Sequence, residues 1–250
     1  ADLPYLSIYL NFIKHCQSSN GSFSNYVDEH GAFTDQNNHT NLEDAKGRTF
    51  WALGLLISEG DIVPSEMIFI AENIFNRAVV RIEDMHSTRA MAFALKGLYY
   101  YNLKKEQVQH RLLIHILAQR LVQMYKHEGE SKWEWFESYL TYGNSVLPEA
   151  LLCAYRITNN SVYKEIAEAS FAFLLAQTFD STGIKVISNQ KWLQKGGQAA
   201  LYGEQPIDVA YTVLALSQFY QVFDRPEYLM KMRIAFNWFL GENHLKQIIY

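Results

Sequence analysis

Four stretches of this 250-residue chain share one layout, polar residues followed by a helix-length run of small and apolar side chains. They read LEDAKGRTFWALGLLI (residues 42–57), EDMHSTRAMAFALKGLYY (83–100), YGNSVLPEALLCAYRI (142–157) and EQPIDVAYTVLALSQFY (204–220). A helix leaves its first backbone N–H groups unpaired, so a polar head before an apolar helical run marks a helix start. Between these runs lie more ordinary amphipathic helices with longer side chains. Such alternation predicts an all-α chain in which helices pair into hairpins arranged as a ring. The apolar helices form its inner wall, and their polar N-terminal ends converge on one face. Small residues on those helices allow close backbone approach: Ala52 and Gly54, Ala90, Ala94 and Gly97, Ala150 and Ala154, Ala210 and Ala215.

Read along its length, the chain predicts nine helices, near residues 3–18, 42–59, 64–80, 87–103, 106–126, 145–157, 160–177, 206–220 and 226–240, with no βαβ unit. Ser87 or Thr88 is placed to cap the fourth, and Asn159 or Asn160 the seventh. Pro64, Pro206 and Pro226 stand at helix starts, where a missing N–H does no harm. Three longer connections remain, at residues 19–41, 129–143 and 178–205. The first reads as a short hairpin or ordered loop, and the last has weak β character at GIKVIS. No linker divides the chain, so residues 1–250 are expected to form a single domain. Apolar starts about 40–60 residues apart are too loose for a tetratricopeptide or ankyrin array. They suit an (α/α)6-type toroid of helical hairpins. Nine is an odd count for paired helices, and Leu240-Gly241-Glu242-Asn243 should lead into another inner helix. Either the barrel is incomplete at its C-terminus or its end lies beyond residue 250.

Composition narrows the function. Charged residues make up only 19%, the formal net charge is -4, and no Lys/Arg run occurs, which argues against a nucleic-acid partner. No apolar run approaches the roughly 18 residues of a membrane span, so no membrane insertion is expected. Cys16 and Cys153 read as buried free thiols. The chain opens on Ala1 without a signal peptide, which makes a processed or excised chain and cytoplasmic residence the expectations. Metal-ligand spacings, a P-loop, GxSxG and GxGxxG are absent from the sequence. The eight His residues, from His15 to His244, form no cluster, so neither metal nor cofactor is expected.

Aromatic residues reach 14%, and their polar clusters carry the chemistry. Trp133, Trp135, Phe136, Glu137, Tyr139 and Tyr142 fall within ten residues, followed by Asn144. They form either a packed loop or a surface on which sugar rings stack while carboxylates and amides take the hydroxyls. Gln190, Trp192, Tyr202, Glu204, Gln205 and Asp208 form a second group at the entry to the eighth helix. Asp208 either caps backbone N–H groups or faces a ligand. Glu137 with Asp208 or Glu204 is the acid/base pair that glycosidic cleavage would require. At the second helix, Asp44 and Arg48 stand four apart as an ion pair or as sugar-binding groups. His86, beside Glu83, Asp84 and Arg89, is either a surface cap or a base near neutral pH.

Glu204-to-Asn243 (EQPIDVAYTVLALSQFYQVFDRPEYLMKMRIAFNWFLGEN), WFESYLTYGNSVLPEALLCAYRIT and LEDAKGRTFWALG together resemble the α/α-toroid domain of a group of bacterial carbohydrate-associated proteins. In some members it follows a glycosyltransferase domain. More broadly the chain is similar to the six-hairpin toroids that include glycoside hydrolases, polysaccharide lyases and sugar epimerases. The resemblance implies an oligosaccharide or glycan as partner, a glycosyltransferase domain as neighbour, and hydrolase-like chemistry without a cofactor. It points to Glu137, Glu204 and Asp208 as catalytic candidates. Asp44, Arg48, His86, Trp133, Trp135, Tyr142, Asn144, Trp192 and Gln205 become the substrate-binding candidates. A glycan-binding accessory domain and a helical protein-interaction scaffold are the rival expectations.

Overall fold

The computed structural model describes residues 3–243 and 246–248, which leaves His244 outside the described residues. The fold is all-α, built of paired helical hairpins, and the chain divides into two compact units, Ala1–Leu117 and Ala118–Tyr250.

In the amino-terminal unit, α1 (Leu3–Cys16) leads through a long loop and a four-residue helix, α2 (Gln36–His39), to α3 (Glu43–Ser58). The loop holds two copies of one turn. Gln17 bridges Phe23 and Val27 bridges Phe33, with Gly21 and Gly31 at φ +84° and +80° in the left-handed region. Asn37 locks the second copy from inside. Its Oδ1 accepts from the N–H groups of Asn25 and Tyr26, and its Nδ2 donates to the carbonyls of Tyr26 and Thr34. The expected hairpin is thus a tandem of tight turns pinned by one amide.

Helix α4 (Ser65–Ala78) starts after Pro64 and passes into a 3-10 turn, Val79–Asp84, before α5 (Thr88–Lys104). Residues 88–99 of α5 are all buried. The reason lies in its contact with α3, where backbone meets backbone. A Cβ on Gly54 would stand 2.1 Å from the Gly97 carbonyl oxygen, and one on Gly97 would stand 2.3 Å from that of Phe50. Gly47 meets Ala90 in the same way, with 2.6 Å to its carbonyl oxygen. The small residues predicted to bring inner helices together do so here. Helix α6 (Val108–Glu128) follows, burying Leu113, Ile114 and Leu117 before the boundary between the units and Leu121 and Val122 after it.

In the carboxy-terminal unit, α7 (Val146–Thr158) packs on α8 (Ser161–Thr178) and on α9 (Pro206–Phe223), and α9 packs on α10 (Pro226–Phe239). Both hairpins turn by the same two-residue device. Asn159 and Asp224 end their helices in the left-handed conformation (φ 56° and 49°), which short polar side chains tolerate best among L-residues. The next residue returns to extended backbone and starts the partner helix. Asn160 caps α8 by accepting from the Val162 N–H at 3.1 Å, and Pro226 opens α10. Two short ribbons decorate the unit. The strand β1 (Tyr139–Leu140) pairs antiparallel with β4 (Leu193–Gln194), and β2 (Phe179–Asp180) pairs with β3 (Gly183–Ile184) at the expected β segment. Among the described residues, no helix is long and apolar enough to cross a membrane.

Candidate functional site

The carboxy-terminal unit brings the two aromatic loop groups together. Pairing of Tyr139 with Gln194 and of Leu140 with Leu193 fastens the loop before α7 to the insertion before α9. The Lys195 N–H donates to the Ser138 carbonyl at 2.8 Å, and the Lys195 ammonium to the Glu128 carbonyl at 3.0 Å, extending the same seam. Tyr142 and Trp192, both part-exposed, come within 6.2 Å between ring centroids at an interplanar angle of 46°.

The heads of α7 and α9 are joined by polar side chains. Asp208, in the first turn of α9 and 5% exposed, accepts the backbone N–H of Gly143 through Oδ1. Gly143 itself sits at φ +60°. Ser145 and Thr212 share a hydroxyl contact of 2.8 Å, and the Thr212 hydroxyl donates to the Asp208 carbonyl. Asn144 closes the loop on itself, accepting from the Thr141 N–H at 3.0 Å and donating to the Thr141 carbonyl at 2.6 Å. Glu204 accepts from the Trp238 indole at 3.3 Å, and Gln205 holds the N-cap position of α9 without a side-chain cap bond. Asp208 therefore binds a backbone N–H of the loop before α7.

The two tryptophans of this group are packed inward. Trp133, 6% exposed, donates from its indole to the Glu137 carbonyl at 2.7 Å and meets the Phe173 ring edge-on. Trp135 has no exposed surface and lies against Phe136 and Phe173. Glu137 is itself only 8% exposed. Tyr139, Tyr142, Trp192 and the exposed Tyr202 are the aromatic side chains of the two groups that keep open surface.

In the amino-terminal unit, the Arg48 guanidinium donates to Asp44 at 2.7 Å, the ion pair expected from their spacing. Its charge also lies 4.7 Å from the Phe93 ring centre. Trp51 stacks on Phe93 at 5.6 Å, and the Lys96 ammonium lies 3.9 Å from the Trp51 ring centre. A cation held over an aromatic face gains from the negative face of the ring. Asp44, Arg48, Phe93, Trp51 and Lys96 form one continuous ladder along α3 and α5.

His86 is exposed, and its backbone carries the contact that matters. The N–H groups of His86 and Ser87 both donate to Glu43 Oε2, at 2.8 and 2.5 Å. Ser87 stands at the N-cap of α5 but makes no side-chain cap bond there. Glu43, reaching across from α3, performs the capping expected of Ser87 or Thr88. Each unit thus repeats one device: an acidic residue in the first turn of one apolar helix receives backbone N–H from the segment leading into its partner, Glu43 of α3 for α5 and Asp208 of α9 for α7.

Arg89, read as part of a polar rim, is only 5% exposed, and reasoning from sequence overlooked two further buried charges, Lys96 (0%) and Glu149 (1%). Their signal was a charged residue inside an apolar run, in AMAFALKGLYY and VLPEALL. Buried charges need partners to offset desolvation, so such positions mark built polar sites. Among the described residues, no group of three or more His, Cys, Asp or Glu side chains is arranged to hold a metal ion.

No protein-family model matches the chain, and no curated protein matches it by sequence. Solved structures do match its fold. The Lin0763 protein from Listeria innocua aligns with a TM-score of 0.68 at 11% identity, over 95% of this chain and 70% of its own. An unsaturated glucuronyl hydrolase specific for heparin aligns at 0.65 and 12% identity, over 96% of this chain and 68% of its own. A mutant unsaturated glucuronyl hydrolase from Streptococcus agalactiae aligns at 0.60 and 13%, over 95% of this chain and 60% of its own. At such identities the likeness speaks for the fold alone, an all-α arrangement of paired helical hairpins consistent with an (α/α) toroid.

Proposed function

We propose that this chain processes an oligosaccharide, at the joined heads of α7 and α9, by the carboxylate acid/base chemistry of a glycoside hydrolase. The observation that carries the reading is the seat of Asp208. A nearly buried carboxylate at a helix head, held by the Gly143 N–H, stands in the same loop assembly as the part-exposed rings of Tyr142 and Trp192. A concave site that pairs fixed polar groups with flat apolar faces suits a sugar.

In this reading Asp208 takes a proton from water as the water oxygen attacks the anomeric carbon. Glu137 or Glu204 gives a proton to the leaving glycosidic oxygen as its bond to that carbon breaks. Asn144 and Gln205 supply amides for the hydroxyls, while Trp133 and Trp135 support the loop from behind. Two of the similar structures are unsaturated glucuronyl hydrolases, so oligosaccharides ending in an unsaturated uronic acid are the first substrates to try.

The test is turnover and binding across a panel of charged and neutral oligosaccharides, with Glu137→Gln, Glu204→Gln and Asp208→Asn beside the wild type. Asp208→Asn keeps an acceptor for the Gly143 N–H and is expected to lower kcat by about 100-fold or more with binding retained. Full turnover in all three variants would overturn the site assignment. Binding without turnover in the wild type would instead favour a glycan-holding accessory role, of the kind found beside glycosyltransferase domains.

A further inference from the structure

A cleft of about 250 Å³ opens in the amino-terminal unit among the head of α3, the first tight turn and the 3-10 turn. Its floor is apolar, formed by Phe23, Phe50, Ala78 and Met85, none more than 8% exposed. Its rim carries Asn20, Ser22, Glu43, Lys46, Arg81 and Asp84.

The rim carboxylates are already engaged. Glu43 Oε2 receives the His86 and Ser87 N–H groups, and Asp84 faces Arg81 at 3.5 Å. Of the remaining rim groups, Lys46, Arg81 and the Asn20 amide are donors, while the Ser22 hydroxyl is engaged with Ser18 Oγ at 2.8 Å. The Lys46 ammonium makes no hydrogen bond or ion pair among the described residues. Asn20 Oδ1 is occupied by Ser18 and by the Ser22 N–H, which leaves its Nδ2 to donate. Donors with one uncommitted positive charge above an apolar floor select an anionic head on an apolar body. Inorganic phosphate would satisfy the rim and leave the floor uncovered.

The walls are fixed before any ligand arrives. Gly21, at φ +84°, lies so close to α4 that a Cβ there would stand 2.2 Å from the Arg77 carbonyl oxygen. The Gln17 amide donates to the Ile74 carbonyl at 2.8 Å, tying the same turn to the same helix. The cleft is also set apart from the ladder of Asp44 and Arg48 by helix geometry. Glu43, Lys46 and Phe50 share one face of α3, while Asp44, Arg48 and Trp51 share another, roughly 140° away at 100° per residue.

We propose that this cleft is a second ligand site, which takes a small monocarboxylic acid with a flat or short apolar body, its carboxylate at Lys46 and Asn20. The volume falls below the roughly 300 Å³ of drug-sized sites, so the ligand is a small one.

The experiment is a titration of the whole 250-residue chain with sodium benzoate and sodium hexanoate, followed by backbone amide NMR shifts. Sodium chloride and sodium phosphate at matched ionic strength are the controls. Saturable shifts are expected at residues 20–23, 46 and 84–87, with a Kd on the order of millimolar for so small a molecule. Lys46→Met should weaken binding about tenfold, Lys46→Arg less than about threefold, and the exposed-site change Arg81→Gln about threefold. Asp208→Asn should bind benzoate as the wild type does, which separates this site from the carbohydrate reading. Shifts that fail to saturate, that chloride or phosphate reproduces, or that survive Lys46→Met unchanged would overturn the proposal.

Discussion

Gly54 and Gly97 stand where the fold leaves no room for a side chain. Each lies against backbone of the other helix, and backbone cannot rotate aside as a side chain can. Gly54→Ala or Gly97→Ala gains up to about 1 kcal/mol of helix propensity. Forcing α3 and α5 apart costs about 1–3 kcal/mol. Both variants are expected to unfold at lower urea concentration than the wild type, and an unchanged or raised midpoint would refute the close contact. Asp208 is the complementary case, because its surroundings matter as much as its charge. Asp208→Ala leaves the Gly143 N–H without its acceptor and should cost roughly 1–3 kcal/mol, whereas Asp208→Asn should unfold within about 1 kcal/mol of wild type. Equal losses from both changes would mean the hydrogen bond contributes nothing.

Between elements, the decisive contacts are polar groups at helix ends. Glu43 takes two N–H groups at the start of α5, a task usually done by a residue of the same helix. Glu43→Ala should therefore destabilise the amino-terminal unit by about 0.5–2 kcal/mol, with Glu43→Gln milder because it keeps an acceptor. Amide exchange at His86 and Ser87 should rise in the alanine variant, and protection as in the wild type would show that water replaces the carboxylate at no cost. The hairpin turns follow a related logic. At Asp224, φ 49° suits Gly or Asn and strains a β-branched residue. Asp224→Gly should leave the α9–α10 hairpin intact, and Asp224→Val should lower its thermal midpoint by several degrees.

For the whole molecule, His110 sets an acid limit. It is 1% exposed, packed against Phe75 and Tyr101, and burial pushes its pKa down from 6.5 to about 4. The unfolded chain accepts a proton near pH 6.5 that the folded chain refuses until about pH 4. This contribution to stability is complete above pH 6.5 and is lost as pH falls through the folded value, a change on the order of 2–3 kcal/mol. Unfolding free energy measured between pH 7 and pH 4 should fall less steeply in His110→Leu than in the wild type. Parallel curves would remove His110 from the account.

The sequence by itself determined the nine longer helices but not the four-residue α2, their starts at Pro64, Pro206 and Pro226, a cap at Asn159 or Asn160, and the Asp44–Arg48 pair. All of these depend on residues within one turn or one period of each other, where spacing along the chain is spacing in space. It also flagged the small residues of α3 and α5, because a Gly in an apolar helix has little reason to be there except close approach. Only the tertiary structure decided that Glu43 serves α5, that Asp208 holds Gly143, and that β1 meets β4. The partners in those contacts stand more than 40 residues apart, and no local pattern encodes which distant N–H a carboxylate will meet. Burial was decided there as well. An aromatic cluster such as 133–142 reads alike whether it faces a sugar or a core, until Phe136 and Phe173 are seen to cover Trp135.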